Sequence, residues 1–394
     1  MRFFRAILLL SLLSAATWTV VRSVTAQSPT QSATWFKQES GVFTKLMGVH
    51  FVDPQNGYIV GSTGTIFGTA NGGDTWEKVA LPTRESKETL RDVWAFNLRH
   101  QLLLGEYNRD LHPSTDMIFG PNFMLWRGDE VKEDWREIAV AEPRNPRSLK
   151  PRRKAPGVDS RSDNEEDDDE FYRISSSMVV RMHFANEQKG WLVGESGMIQ
   201  RTEVGGVEWK MQYAVTRKLL TDVFAVSDKE VWIVGGGGTI LRTIDGGESW
   251  VEQNSPTTQN LRAVHFVSAE HGWAVGPNGL LLKATASPRR PDGTLPVKWD
   301  ILPAPTKESL NDVYFISPQE GWVVGEHATI LHTTDGGRTW EDALVNTQVR
   351  PYINFNRLFF LSRNLGWAVG TSGAIYKFAP HAAALKPKVD PDSQ

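Results

Sequence analysis

Leu310-Asn311-Asp312-Val313-Tyr314-Phe315, Gly321-Trp322-Val323-Val324-Gly325, Thr329-Ile330-Leu331 and Thr333-Thr334-Asp335-Gly336-Gly337-Arg338-Thr339-Trp340 follow one another along the chain. The first three are short β-branched and aromatic runs separated by polar turns, which is the pattern of strands. The fourth is a Gly-rich hairpin that delivers a Trp to a further strand. The same order recurs outward in both directions. Leu261-Arg262-Ala263-Val264-His265-Phe266 leads to Gly272-Trp273-Ala274-Val275-Gly276, and Leu46-Met47-Gly48-Val49-His50-Phe51 opens the first unit. The Gly closing the second run returns at positions 61, 105, 194, 235, 276, 325 and 370. Four strands per unit and a period of about 45 residues are the signature of a β-propeller.

Seven such units predict an all-β, seven-bladed propeller with four antiparallel strands per blade. The last unit stops after its third strand, near Phe378, and lacks its Trp strand. Thr34-Trp35-Phe36-Lys37 supplies that strand from the other end of the chain. The N-terminal strand is therefore expected to close the ring, which removes the strand edges that invite aggregation.

The 394 residues are 40% hydrophobic and 23% charged, with 15 Trp and no Cys. Zero Cys excludes disulfides, thiolate metal sites and a cysteine nucleophile. A formal charge of −3 carries no basic signature for nucleic acid. Residues 1–26 read as a secretory signal, with Arg2 and Arg5 before an apolar stretch and Val24-Thr25-Ala26 at the cleavage site. Deleting Arg2, Arg5 and Arg22 takes the formal charge from −3 to −6. The export signal fits a periplasm or comparable lumen. The propeller is assigned to residues 27–380. Within it, residues 143–172 run from basic to acidic and are too polar to pack, so a disordered, solvated insert is expected. Residues 381–394 are expected to form a disordered tail.

The third-to-fourth-strand hairpins carry the most specific motif. Thr69-Ala70-Asn71-Gly72-Gly73-Asp74-Thr75-Trp76, Thr243-Ile244-Asp245-Gly246-Gly247-Glu248-Ser249-Trp250 and the hairpin around Asp335 resemble the Asp-box, S/T-x-D-x-G-x-T-W. Asn71, Asp245 and Asp335 are assigned to hairpin stabilisation. Trp76, Trp250 and Trp340 are assigned to packing between blades. The combination of L-x-D-V-x-F, G-W-x-V-G, G-x-I-L-x-T and D-G-G-x-T-W resembles the photosystem II stability/assembly factor family, over about residues 34–378. The resemblance implies an exported, non-enzymatic propeller of the periplasm or thylakoid lumen. Such a protein would be a monomeric scaffold or chaperone for another protein, such as an assembly intermediate of a membrane protein, with no cofactor, metal or nucleic acid. The alternatives are a sialidase-type glycoside hydrolase, faintly echoed by Phe171-Tyr172-Arg173-Ile174, and a carbohydrate- or peptide-binding propeller.

His50, His183 and His265 share one position of the first strand with Trp94, Phe224, Tyr314 and Phe359, which reads as a buried aromatic slot rather than a metal ring. Arg91, Arg181, Arg262 and Arg357 fall at the opening of the innermost strands, and Arg217 and Arg350 lie in the connections before them. Basic residues gathered on one face of an acidic protein give it a directional field. These six arginines are the expected partner-binding set, with side chains reaching the rim. The competing reading pairs them with Asp92, Asp222 and Asp312.

Overall fold

Alternating apolar and polar positions give each first run one face to bury, and a Gly-flanked second run pairs against it. The computed structural model describes residues 33–79, 89–97, 100–106, 123–128, 135–138, 179–212, 215–289, 295–303, 306–344 and 352–380. The leader, the 143–172 insert, the Phe171–Ile174 echo and the tail lie outside the described residues. The described strands form a β-propeller of four-stranded antiparallel sheets, seven of which are hydrogen-bonded as units. We number these blades one to seven by their innermost strands: Leu46–Phe51, Leu90–Asn97, Val179–Phe184, Leu220–Ala225, Ala263–Ser268, Leu310–Phe315 and Phe355–Ser362. The seventh sheet draws its outer strand, Ala33–Gln38, from the N-terminal end. Ala33 lies opposite Pro380 and Gln38 opposite Ile375. Among the described residues no helix is long and apolar enough to cross a membrane.

The Gly-Trp pair at the head of the second strand has a packing reason. A Cβ at Gly57, Gly190, Gly272, Gly321 or Gly366 would sit 2.3–2.4 Å from the ring of Phe51, Phe184, Phe266, Phe315 or Phe360 in the same blade. Glycine clears the space for that ring. Trp273, Trp322 and Trp367, which follow three of these glycines, stack on the corresponding Phe of the next blade. Trp367 meets Phe51 with centroids 3.4 Å apart, and Trp273 meets Phe315 at 3.5 Å. Trp322 and Phe360 are 4.3 Å apart. The Trp residues of the outer strands come edge-on to the same phenylalanines within their own blade. Trp76 contacts Phe51, Trp340 contacts Phe315 and Trp35 contacts Phe360 in T-shaped pairs at 5.8–6.0 Å. The sequence assigned the outer Trp residues to blade–blade packing. The second-strand Trp residues share that work with the outer ones: Trp299 meets Trp232 of blade four at 5.7 Å, and Trp250 Nε1 donates to Gln212 of blade three.

The up-and-down topology puts the fourth-to-first connections and the second-to-third turns at one end of the blades. They bond to each other there: Ser62 N–H to the Lys45 carbonyl, Gly236 to Leu219, Glu326 to Ser309 and Thr371 to Asn354. The Asp-box hairpins gather at the opposite end with the first-to-second turns. Gly72 N–H donates to the Gln55 carbonyl, Gly246 to Lys229 and Gly336 to Gln319.

Candidate functional site: the channel and its two mouths

Six of the seven innermost strands carry a register shift between their first and third residues. Such a bulge re-aims the side chains beside it. The third position reads Gly48, Asp92, Arg181, Asp222, Ala263, Asp312 and Arg357 around the ring, and its charged members converge at the axis. Arg357 lies 3.4 Å from Asp312, 3.8 Å from Asp92 and 3.9 Å from Asp222. Arg181 lies 3.9 Å from Asp92 and 3.6 Å from Asp222.

This corrects the expectation that Arg181 and Arg357 reach the rim. Their side chains are only 12% and 17% exposed and are held by three buried carboxylates. Arg91 and Arg262 occupy the second position instead, one residue earlier in the repeat. Arg262 stays at the end bearing the fourth-to-first connections. Its Nη1 bonds Asn311 Oδ1 at 2.5 Å and Glu326 at 3.1 Å. Arg91 is half-buried. Arg217 is exposed in the connection before blade four. Arg350 lies outside the described residues.

The electrostatics follow from burial. Desolvation pushes the Asp222 carboxyl up to about 6, against the pull of Arg357 and Arg181. Burial lowers Arg181, and Arg357 adds to the effect by like-charge repulsion. Arg357 moves the other way: burial opposes its charge, but Asp312, Asp92 and Asp222 outweigh burial and raise it.

Below this charged layer runs an aromatic belt. His50, Trp94, His183, Phe224, His265 and Tyr314 touch in succession with centroids 4.3–4.8 Å apart. His50 also meets Phe359 at 4.7 Å. A chamber of 200 Å³ is lined by belt and charged layer together. Toward the Asp-box end the channel widens into a 720 Å³ funnel lined by Phe224, His265, Tyr314, Ile316, Phe360 and Leu361 among others.

The Asp-box residues sit in their hairpins as the motif requires. Asp335 Oδ1 accepts from Thr333 Oγ1, Arg338 N–H and Thr339 N–H, and Oδ2 accepts from the Thr339 hydroxyl. Asp245 repeats this with Thr243 and Ser249. Asn71 Oδ1 accepts from Thr69 Oγ1 and Thr75 N–H, while its Nδ2 donates to Thr75 Oγ1. Slight burial raises the Asp245 carboxyl, but its donors bring it down to about 2. Hydrogen bonds from Thr339 first, and from Thr333 and Arg338, hold Asp335 below the usual carboxylate range. Carboxylates tied this way are not general acids or bases. Gly72, Gly73, Gly246, Gly247, Gly336 and Gly337 all have φ between 70° and 91°, the left-handed region that the hairpin demands.

The competing reading, which pairs the arginines with Asp92, Asp222 and Asp312, holds for Arg181 and Arg357; that these pairs cross blade boundaries is what the sequence missed. The signal was present: Asp recurs at the third position of alternate blades, whereas a purely local partner would show no such alternation.

The family model for photosynthesis system II assembly factor YCF48 matches residues 27–116, 211–285 and 293–375. The chain belongs to that family. Among solved structures, a chain described as YCF48 bound to D1 peptide is similar at 19% identity and a TM-score of 0.62, over 90% of this chain and 99% of that one. YCF48 from Cyanidioschyzon merolae is similar at 18% identity and a TM-score of 0.65, over 88% and 99%. The WD40 β-propeller domain of Doa1 is similar at 12% identity and 0.55, over 88% and 97%. At these identities the structural likenesses speak for the fold. The search of curated proteins gave no match. The YCF48-family chain thus carries a charged layer, an aromatic belt and two unlike mouths on one axis.

Proposed function

We propose that this YCF48-family protein is an exported, seven-bladed, ring-closed and non-enzymatic scaffold that holds a segment of another protein during assembly. The observation that carries the reading is the family match, spread over three stretches from the first blade to the last. A similar structure holds a D1 peptide, and a photosystem II subunit is the partner class we infer here. The leader supports export to the periplasm or thylakoid lumen. The internal satisfaction of the Asp-box carboxylates supports a non-catalytic role.

The end bearing the fourth-to-first connections is the recognition face in this reading. Arg91, Arg217 and Arg262 contribute to it together with Lys45 and Lys218, and Arg350 belongs to the adjoining connection. Arginine suits the task because its planar fork meets carboxylates and backbone carbonyls and stays charged. Arg181 and Arg357 act from beneath by fixing the inner strands. The test is a titration of a labelled D1 peptide, with a scrambled peptide as control, against the parent and an Arg91→Glu, Arg217→Glu, Arg262→Glu variant. Single exposed pairs contribute about 0.2–1 kcal/mol, so the combined variant is needed. The parent should bind in a salt-sensitive manner and the variant at least tenfold more weakly. Equal binding by both would move the site off this face.

A further inference from the structure

The inner strands are joined across blade boundaries by two kinds of side-chain acceptor, and the kinds alternate. His50 Nδ1 accepts the N–H of Ala95 at 3.3 Å, bridging blades one and two. Asp92 Oδ2 accepts the N–H of Met182 at 3.2 Å, bridging two and three. His183 Nδ1 accepts Ala225 N–H at 3.2 Å, and Asp222 Oδ2 accepts Val264 N–H at 2.9 Å. His265 Nδ1 accepts Phe315 N–H at 3.4 Å, and Asp312 Oδ2 accepts Leu358 N–H at 2.8 Å. The seventh boundary uses Asn356 Nδ2, which donates to the Leu46 carbonyl at 2.6 Å.

A backbone N–H can only donate, so each of these Nδ1 atoms is unprotonated and the single imidazole proton sits on Nε2. A second proton has one place to go. It would land on Nδ1, turn the acceptor into a donor, and set it against the N–H it now holds. The aspartates differ, because a carboxyl keeps acceptor oxygen after taking a proton.

The surroundings of the three histidines resist that proton. His50 is flanked by the rings of Trp94 and Phe359, His183 by Trp94 and Phe224, and His265 by Phe224 and Tyr314. The charged and titratable groups that share the chamber with them are Asp92, Asp222, Asp312 and Arg357, with Tyr314 in the belt. Arg181 stands behind Asp92 and Asp222. The carboxylates are engaged with the two arginines and with backbone N–H groups, and Arg357 repels an imidazolium.

We propose that the histidine junctions form a proton-operated lock: protonation of His50, His183 and His265 at Nδ1 releases the first–second, third–fourth and fifth–sixth blade boundaries, while the aspartate junctions between them hold. The ring would loosen at three alternate seams as its compartment acidifies.

The sign follows from linkage. Burial first, with Arg357 adding at each site and the other histidines at His183, lowers all three from 6.5 to about 3. The stability that each contributes is complete above 6.5 and is lost as pH falls toward 3. Opening a seam that exposes one His to water should become about tenfold more favourable between pH 7.5 and 5.5. Asp222, raised to about 6, works in the opposite direction over the same window.

Two measurements on the full mature protein test this. Imidazole nitrogen NMR shifts at neutral pH should show unprotonated Nδ1 and protonated Nε2 at all three histidines; a proton on Nδ1 at these sites overturns the lock. Hydrogen exchange, corrected for intrinsic rates, should show protection at Ala95, Ala225 and Phe315 falling about tenfold from pH 7.5 to 5.5. Protection at Met182, Val264 and Leu358 should fall much less. Equal losses at all six amides, or none, would overturn it. A His50→Phe, His183→Phe, His265→Phe variant, which repeats the ring that Phe224 and Phe359 already place in the same slot, should lose the selective acid response. Persistence of that response in the folded variant would overturn the assignment, and the shift measurement stands without the variant.

Discussion

Trp273 lies flat on Phe315, with centroids 3.5 Å apart and planes 2° from parallel, although the two belong to neighbouring blades. Phe315 also sits over Gly321 of its own blade and takes the edge of Trp340. One ring therefore joins two sheets. Truncating a fully buried Phe removes its transfer energy and leaves a cavity, so Phe315→Ala should cost about 3–5 kcal/mol. Urea unfolding followed by Trp fluorescence measures it. Gly321→Ala should be destabilising too, because its new Cβ would meet that ring at 2.4 Å. A loss below 1 kcal/mol in both would show that the seam repacks freely.

Arg357 faces three carboxylates across the channel. Replacing it with Met leaves Asp312 buried without its counter-charge and Asp92 and Asp222 with Arg181 alone, and breaking a buried pair costs about 3–5 kcal/mol. The sign of the pH dependence is fixed by the same geometry. Without Arg357 the Asp222 carboxyl, already raised by burial, should rise further, so the folded variant would bind a proton more readily than the unfolded chain. Its deficit should shrink as pH is lowered from 7.5 to 5, as measured by denaturant midpoints. A deficit that grows instead would show that Arg357 is not neutralising it.

Asp335→Ala strands donors from Thr333, Arg338 and Thr339. The expected loss is about 1–3 kcal/mol, with peptide binding unchanged. Asp335→Asn should lose much less, since Asn71 in blade one keeps the Oδ1 acceptor bonds and reverses the remaining one, its Nδ2 donating to Thr75 Oγ1. Asp335 is held below its ordinary value, so its contribution is present above pH 3.8 and fades as pH falls through the lowered value. The Asn variant should lack that acid-dependent component in thermal melts. Loss of binding without loss of stability would identify Asp335 as a functional carboxylate.

Removing residues 27–40 deletes the strand Ala33–Gln38 and the buried Trp35, and exposes the edge of Ile375–Pro380. The loss of one large buried aromatic alone is about 3–5 kcal/mol. Calorimetry of the parent and truncated proteins should show a clear fall in Tm. Identical melting would rule out a structural role for this pairing.

The sequence by itself determined the strands, their order and the hairpins. Each of those rests on near neighbours: alternation along a run, Gly where φ must be positive, Thr and Asp four residues from the groups they bond. It also placed His50, His183 and His265 in an aromatic slot, because Trp94, Phe224, Tyr314 and Phe359 stand at the same repeat position. For Arg181 and Arg357 the sequence offered two readings, the rim or pairing with Asp92, Asp222 and Asp312, and local pattern could not choose between them. Both arginines stand one residue later in the repeat than Arg91 and Arg262, and the bulge in their own strands aims that third position at the channel axis. The alternation of His and Asp acceptors was equally out of reach, since each pair joins residues of different blades, 42 to 90 positions apart. Local pattern sets which way a strand faces. Only the ring sets which carboxylates an arginine meets there, because charges far apart in the chain share one buried space only once the blades are packed.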